Sequence, residues 1–503
     1  MQKLGLLLVL GSLSLLAACG GGGGGSSSST ITSVSVSCSP GTVTSGQTST
    51  CSASVSGTGS FSTAVTWSTS AGSISTSGLL AAPIVSSSSS VTVTATSSQD
   101  STKSGTASVT VNPTSAGPNV APIVVDAGPD PQNILVANVA YVTVTVCVPN
   151  TTQCQTIDHV QVDTGSAGLR IISGVLTVPL PGENNLAECT LYADGFVWGP
   201  VATADVSVAG EAASAVPVQI MIPATSSPAV PASCSAQNPN GGNGNEGISV
   251  DAFGANAIIG VGLFQQDCGQ YCVTDSNNCD STQTAPCIYY DCTSSGCNPT
   301  TVALTQQVPN PVTMFATDNN GVLIQLLPVG DGGALTASGN LIFGIGTQSN
   351  NGLDGATIYP VPDSGNNAGD FITTFAGGTD PTSFIDSGSN GYLFPDSNIP
   401  VCASPFQDWY CPSTSPDNLT ATNQGQLSSG PVGSPVTVSF SIENADNLLS
   451  GENAAFSTLG GPSPPSLGAF DWGLSFFYDR NVYTAIDNMS GPGGTGPYFA
   501  YPQ

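Results

Sequence analysis

Two short stretches of this chain place an ionisable group among apolar residues. Residues 161–170 read QVDTGSAGLR and residues 384–395 read FIDSGSNGYLFP. In each, an aspartate (Asp163 or Asp386) is followed by Thr or Ser, then Gly, then Ser, and the two motifs stand 223 residues apart. A buried carboxylate costs several kcal/mol unless it finds partners, so apolar flanks around a repeated acidic turn point to use. Two carboxylates held side by side cannot both ionise easily and share a proton. One can then take a proton from water while the other gives its proton to a substrate carbonyl. The hydroxyls of Thr164, Ser166, Ser387 and Ser389 can hold such carboxylates, and Gly165 and Gly388 permit close approach. A third Asp-Ser-Gly, residues 363–365 in VPDSGNNAG, lacks the apolar flanks and reads as a plain turn.

Other chemistries fit less well. The single histidine, His159, stands four residues before Asp163 and reads as a structural side chain, which leaves a Ser-His-Asp or Cys-His site without its base. The six cysteines from Cys268 to Cys297 contain no Cys-x-x-Cys pair, so disulfides are expected there rather than zinc. A glycosidase carboxylate pair gives no reason for the doubled Asp-Thr/Ser-Gly-Ser turn. With 4 Lys plus Arg against 32 Asp plus Glu and a formal charge of −28, the chain opposes nucleic acid as a partner. No phosphate-cradling or dinucleotide motif occurs, and neither cofactor nor metal is expected.

The elements that must position the two aspartates are strands. AYVTVTVCV (residues 140–148) alternates apolar and polar residues, and after Cys154 the run HVQVDTG delivers Asp163 at a strand end. Cys147 with Cys154 and Cys402 with Cys411 look like local staples, although connectivity is not readable from spacing. Helical periodicity is scarce, and an all-β, two-lobed body with one carboxylate per lobe is expected. Upstream, residues 31–112 carry short alternating runs divided by Gly, Ser and Pro turns, a small β-sandwich. Its Cys38, Cys51 and Trp67 resemble bacterial immunoglobulin-like modules. MQKLGLLLVLGSLSLLAACG reads as a signal peptide ending in a lipobox, so Cys19 is the expected lipidation site. Removing Cys19 from the 15 cysteines leaves an even number, as an oxidising compartment favours.

Across roughly residues 135–490 the chain resembles the pepsin-like aspartic proteases. Val162-Asp163-Thr164-Gly165-Ser166 matches that family's N-lobe motif, and Ile385-Asp386-Ser387-Gly388-Ser389, with Pro395 beyond, its C-lobe motif. YADGFVWGPVATADVSVAG (192–210) resembles its flap hairpin, which implies that Tyr192, Asp194 and Gly195 cover the substrate. NAIIGVG (256–262) and FDWGLSFFYDRNVYTAID (470–487) resemble the strands that close the two active-site loops, through Gly260 and Gly473. Departures from the pattern are Arg170 where a Trp commonly supports the flap tyrosine, Ala167, Asn390, and Asp471 in the strand before Gly473. The chain is also similar to an uncharacterised family of bacterial lipoproteins with the same doubled motif.

The resemblance implies a pepsin-like double barrel in which Asp163 and Asp386 activate water against a peptide bond, with a peptide or protein as substrate. The expected organisation is a signal peptide and lipobox (1–19), a Gly/Ser tether (20–30), an immunoglobulin-like sandwich (31–112), a linker (113–134), an N-lobe (135–300) and a C-lobe (301–503). Lipid attached at Cys19, followed by Gly20, would anchor the protein to the outer membrane on its periplasmic or surface face. The alternative is a binding or adhesion lipoprotein that keeps the fold without the activity.

Overall fold

The computed structural model describes residues 29–503, apart from 45–46, 84–87, 113–116, 118, 131–135, 193–194, 224, 236–248, 275–287 and 465–467. Cys19 and the lipobox lie outside the described residues. No helix among the described residues is long and apolar enough to cross a membrane.

The N-terminal unit is a sandwich of two four-stranded sheets. Alternation drives it: along Ser89–Ser97, Val91, Val93 and Ala95 are fully buried while the residues between them face outward. Val109 and Val111 of the neighbouring strand meet Leu80 and Cys51 of the facing sheet. Cys38 and Cys51 are bonded to each other and sit directly opposite in adjacent strands of one sheet, so this disulfide does not cross the sandwich.

The body downstream is all-β and bilobal. Its site-bearing strands are β1 (Val120–Val125), β2 (Ala140–Cys147), β3 (Cys154–Asp163), β4 (Ala167–Ile172), β5 (Gly182–Tyr192), β6 (Gly195–Val208), β7 (Glu211–Met221), β8 (Ala257–Val261), β9 (Ala337–Phe343), β10 (Gly378–Ile385), β11 (Tyr392–Leu393), β12 (Gly460–Gly461) and β13 (Asp471–Trp472). In β2, Val142, Val144 and Val146 are buried and the intervening threonines are half-buried. Cys147 and Cys154 close the β2–β3 hairpin as a disulfide, and Cys402 pairs with Cys411. In the 268–297 stretch the described cysteines form Cys268–Cys272 and Cys292–Cys297. Cys279 and Cys287 lie outside the described residues.

One expectation is corrected here. Residues 120–125 were expected within a linker but form β1, antiparallel to β2 on one side and to β9 on the other. One fifteen-stranded sheet thereby runs through both lobes. The run VAPIVV packs Ala121, Ile123 and Val125 into the main core, and the Pro and Gly residues around it hid the strand.

Within each lobe the acidic turn is built the same way. β8 lies between β3 and β4, parallel to the first and antiparallel to the second. In the second lobe β13 lies between β10 and β11 with the same two orientations. The registers agree: Gln161, two residues before Asp163, faces Ile258, and Phe384, two residues before Asp386, faces Asp471. Gly260 and Gly473 are required at these crossings, because an added Cβ would lie 2.7 Å from the Ala167 backbone in one and 2.1 Å from the Gly391 carbonyl in the other.

Candidate active site

Each motif follows its strand directly, so the aspartates meet where the two lobes face each other. The contact is reciprocal. Thr164 donates its amide to Ser387 Oγ at 3.1 Å, and Ser387 donates its amide to Thr164 Oγ1 at 2.9 Å. The same hydroxyls donate across the interface, Thr164 Oγ1 to the Ile385 carbonyl at 3.2 Å and Ser387 Oγ to the Val162 carbonyl at 2.8 Å. Both residues are buried, so these four bonds are shielded from water and fix the loops against one another.

On this frame the carboxylates converge. The Gly165 amide lies 2.7 Å from Asp163 Oδ1 and 3.1 Å from Asp386 Oδ1, and the Gly388 amide lies 2.7 Å from Asp386 Oδ1. Ser166 Oγ donates to Asp163 Oδ2 at 2.5 Å, and Ser389 Oγ to Asp386 Oδ2 at 3.0 Å. A Cβ at Gly165 would sit 2.7 Å from the Asp386 carboxyl carbon, and one at Gly388 would sit 2.7 Å from Asp163 Oδ1. Burial pushes the Asp386 carboxyl well above the usual range, and the nearby Asp163 and Asp471 charges and a hydrogen bond with Asp163 push it further. Burial and like charge thus both favour the protonated form of Asp386. The third Asp-Ser-Gly, at Asp363, is an exposed turn, as its flanks implied.

The hairpin expected to form a flap is β5–β6, with Tyr192 paired to Gly195 at its tip. Asp194 lies outside the described residues. Tyr192 packs against Ile172, Val197 and Met221. Arg170, in the place of the expected tryptophan, is fully buried beneath this hairpin. Its Nη2 meets Glu188 Oε1 at 2.7 Å and Asp267 Oδ2 at 3.3 Å, its Nε donates to Thr190 Oγ1 at 3.0 Å, and its Nη1 donates to the Ala167 carbonyl at 2.6 Å. Burial works against ionisation of Glu188, but the Arg170 charge and hydrogen bonds from Asp267 and Thr190 outweigh it and hold the carboxyl below its ordinary value. Asp267 moves the other way, raised well above by burial and by the Glu188 charge. Arg170 thus ties the strand leaving the Asp163 turn to the hairpin, a network that sequence reasoning missed because Glu188 and Asp267 lie 18 and 97 residues away.

Asn390, another departure, donates from Nδ2 to the Ala137 carbonyl at 2.5 Å and so braces the second turn against the segment entering β2. His159 sits at a bulge in β3 with φ 47°, between Asp126 at 3.4 Å and Asp158 at 3.5 Å, and its ring packs edge-on to Tyr141. It is tied into the strand, as expected of a structural side chain.

Residues 115–501 match the family model described as "Protein of unknown function (DUF3443)". The chain belongs to that family. This DUF3443 match starts upstream of β1, in agreement with that strand being part of the body. No curated protein matches the chain. Among solved structures, the chain is similar to the aspartic proteinase from Irpex lacteus, at 12% identity and a TM-score of 0.44, over 76% of this chain and 96% of that one.

Proposed function

We propose that this DUF3443 protein is an aspartic endopeptidase of pepsin-like double-barrel type. The observation that carries the reading is the convergence of two carboxylates on the Gly165 amide, held by reciprocal hydroxyl bonds between two similarly built turns. Asp163 takes a proton from a water molecule, whose oxygen adds to the carbonyl carbon of the scissile peptide. Asp386 gives its proton to the carbonyl oxygen. Collapse of the resulting diol breaks the C–N bond as the leaving nitrogen takes up a proton, and the dyad returns to one proton. Thr164, Gly165, Ser166, Ser387, Gly388 and Ser389 hold the pair, and the β5–β6 hairpin with Tyr192, Asp194 and Gly195 covers the substrate. The protein is exported and anchored by lipid at Cys19 to the outer membrane, on its periplasmic or surface face.

A second reading, a binding lipoprotein without peptidase activity, is favoured by one observation: Arg170, locked to Glu188, occupies the place of an aromatic flap support. The two readings separate when the intact protein is incubated with a diverse peptide mixture from acidic to neutral pH. Cleavage is expected, with loss in both Asp163→Asn and Asp386→Asn and little further loss in the double variant, since groups acting as one unit are non-additive. Cleavage surviving both substitutions would place the chemistry elsewhere. A folded parent that cleaves nothing would leave the binding reading.

A further inference from the structure

Behind Asp386 lies a third carboxyl group. Asp471, on β13, is 1% exposed, and its Oδ1 has no hydrogen-bond partner. Its counterpart across the two turns is Ile258, as the matching registers show, so an acid fills a place that the first lobe fills with a hydrocarbon. Ser389, whose hydroxyl donates to Asp386 Oδ2 at 3.0 Å, also acts on the Asp471 carboxyl as a hydrogen-bonding neighbour. No similar acid stands behind Ser166 on the first turn, where Ile258 is buried.

Among the described residues, the charged groups acting on Asp471 are acids. Asp163, on the first turn, acts on it through its charge, and Asp386 follows β10 on its parallel side. Further along β10, Asp380 is taken up by the Phe470 amide. On β11 the titratable neighbour is Tyr392, whose ring packs on Trp472 and whose hydroxyl donates to the Ser475 carbonyl. Without a cation, burial opposes ionisation of Asp471 and outweighs the Ser389 bond, with the Asp163 charge adding to the rise, and its carboxyl is pushed up to about 8.

We propose that Asp471 is a positioning residue of the dyad: as a carboxylic acid it keeps the Ser389 hydroxyl directed at Asp386, and as a carboxylate it draws that hydroxyl away. Ser389 has a single hydroxyl proton. A protonated Asp471 donates to Ser389 Oγ and leaves that proton for Asp386 Oδ2. An ionised Asp471 can only accept, and it competes for the same proton. Asp386 becomes a carboxylate when it gives its proton to the substrate carbonyl, so losing the Ser389 donor and gaining a negative neighbour both oppose that step. Activity then depends on two protons held over three carboxyl groups.

This inference rests on the peptidase reading, and the experiment separates the two. The pH dependence of kcat/KM is measured for the parent, for Asp471→Asn, which still donates but cannot ionise, and for Asp471→Ile, which copies the first lobe. Above pH 8 the parent should steepen toward a hundredfold fall per pH unit, the mark of two ionisations, while both variants fall no faster than tenfold. Upper limbs of the same slope in parent and variants would overturn the proposal. The carboxylic-acid C=O infrared band is recorded in parallel at pH 7, where the parent-minus-Asp471→Asn difference should contain one protonated carboxyl. Absence of that band overturns the proposal whether or not the parent is active. A parent that shows the band but cleaves nothing removes the peptidase reading and the dyad role together, and leaves Asp471 as a buried acid.

Discussion

Replacing Arg170 with methionine tests how the β5–β6 hairpin is held. The substitution keeps much of the side chain's length but removes the only cation in a cluster whose side chains are at most 6% exposed. Glu188 would then be a buried carboxylate without its counterion, and the Ala167 carbonyl would lose its guanidinium donor. Breaking a buried pair from one side costs about 3–5 kcal/mol, most of it the desolvation of the charge left behind. The reverse substitution, Glu188→Gln, should cost less. Asp267, whose carboxyl is kept high by burial and by the Glu188 charge, can then release its proton and become the partner of Arg170, 3.3 Å away. A loss of about 1–2 kcal/mol is expected, that of a charge-assisted hydrogen bond replaced by a neutral one.

Denaturant titration of the single variants and of Arg170→Met/Glu188→Gln measures these terms. The double variant should recover part of the Arg170→Met loss, because no carboxylate is then stranded, and the coupling should exceed about 1 kcal/mol. Cleavage by Arg170→Met should also weaken through KM more than through kcat if the network positions the hairpin. An Arg170→Met variant within about 1 kcal/mol of the parent, below the range for a broken buried pair, would refute the reasoning.

Three further outcomes follow from particular contacts. Burial opposes the charge on His159, but hydrogen bonds and charge from Asp126 and Asp158 outweigh it and raise the imidazole to about 9. A raised value means the stabilisation is complete below the unfolded value of 6.5 and is lost as pH climbs through 9. Up to about 3 kcal/mol should therefore disappear over that window and be absent in His159→Gln. Thermal unfolding of both proteins against pH checks this, and the difference between them isolates His159 from Asp370 and Asp471, which titrate at about 7 and about 8. Gly165→Ala would put a methyl 2.7 Å from the Asp386 carboxyl carbon, so cleavage should fall by about a hundredfold, at a stability cost of roughly 1–3 kcal/mol; parent-like turnover would contradict the close approach. Cys19→Ser should release or misprocess the protein, with membrane fractionation and the mass of the N-terminus as the readout; unchanged attachment would refute the lipid anchor.

The two acidic turns were legible in the sequence because their chemistry is local: carboxylate, hydroxyls and glycine stand within four residues, and apolar flanks marked the buried copies apart from Asp363. Strand identity was legible where β-branched residues alternate, as in β2. The strand β1 was not. Its merit is set by β2 and β9, which it joins across more than two hundred residues of chain, and Pro122 together with the Gly and Pro residues near it reads locally as linker. The Arg170 cluster was hidden for the same reason. A lone Arg in an apolar run shows that a partner must exist, but not that Glu188 and Asp267 supply it from other strands.

Asp471 joins both cases. Its sequence context, an acid in FDWG where the first lobe reads AIIG, already breaks the match between the turns. Only the register gives the anomaly a meaning, by setting Asp471 opposite Phe384 and within reach of Ser389. A buried acid without a cation destabilises the fold progressively as pH rises above the unfolded carboxyl value of 3.8, toward its own value of about 8. On these values the cost at neutral pH is on the order of several kcal/mol, and an Ile like that of the first lobe would avoid it. The near-symmetry of the two turns is therefore broken at a costly position, behind the carboxyl to which the proposed peptidase mechanism assigns the proton given to the substrate.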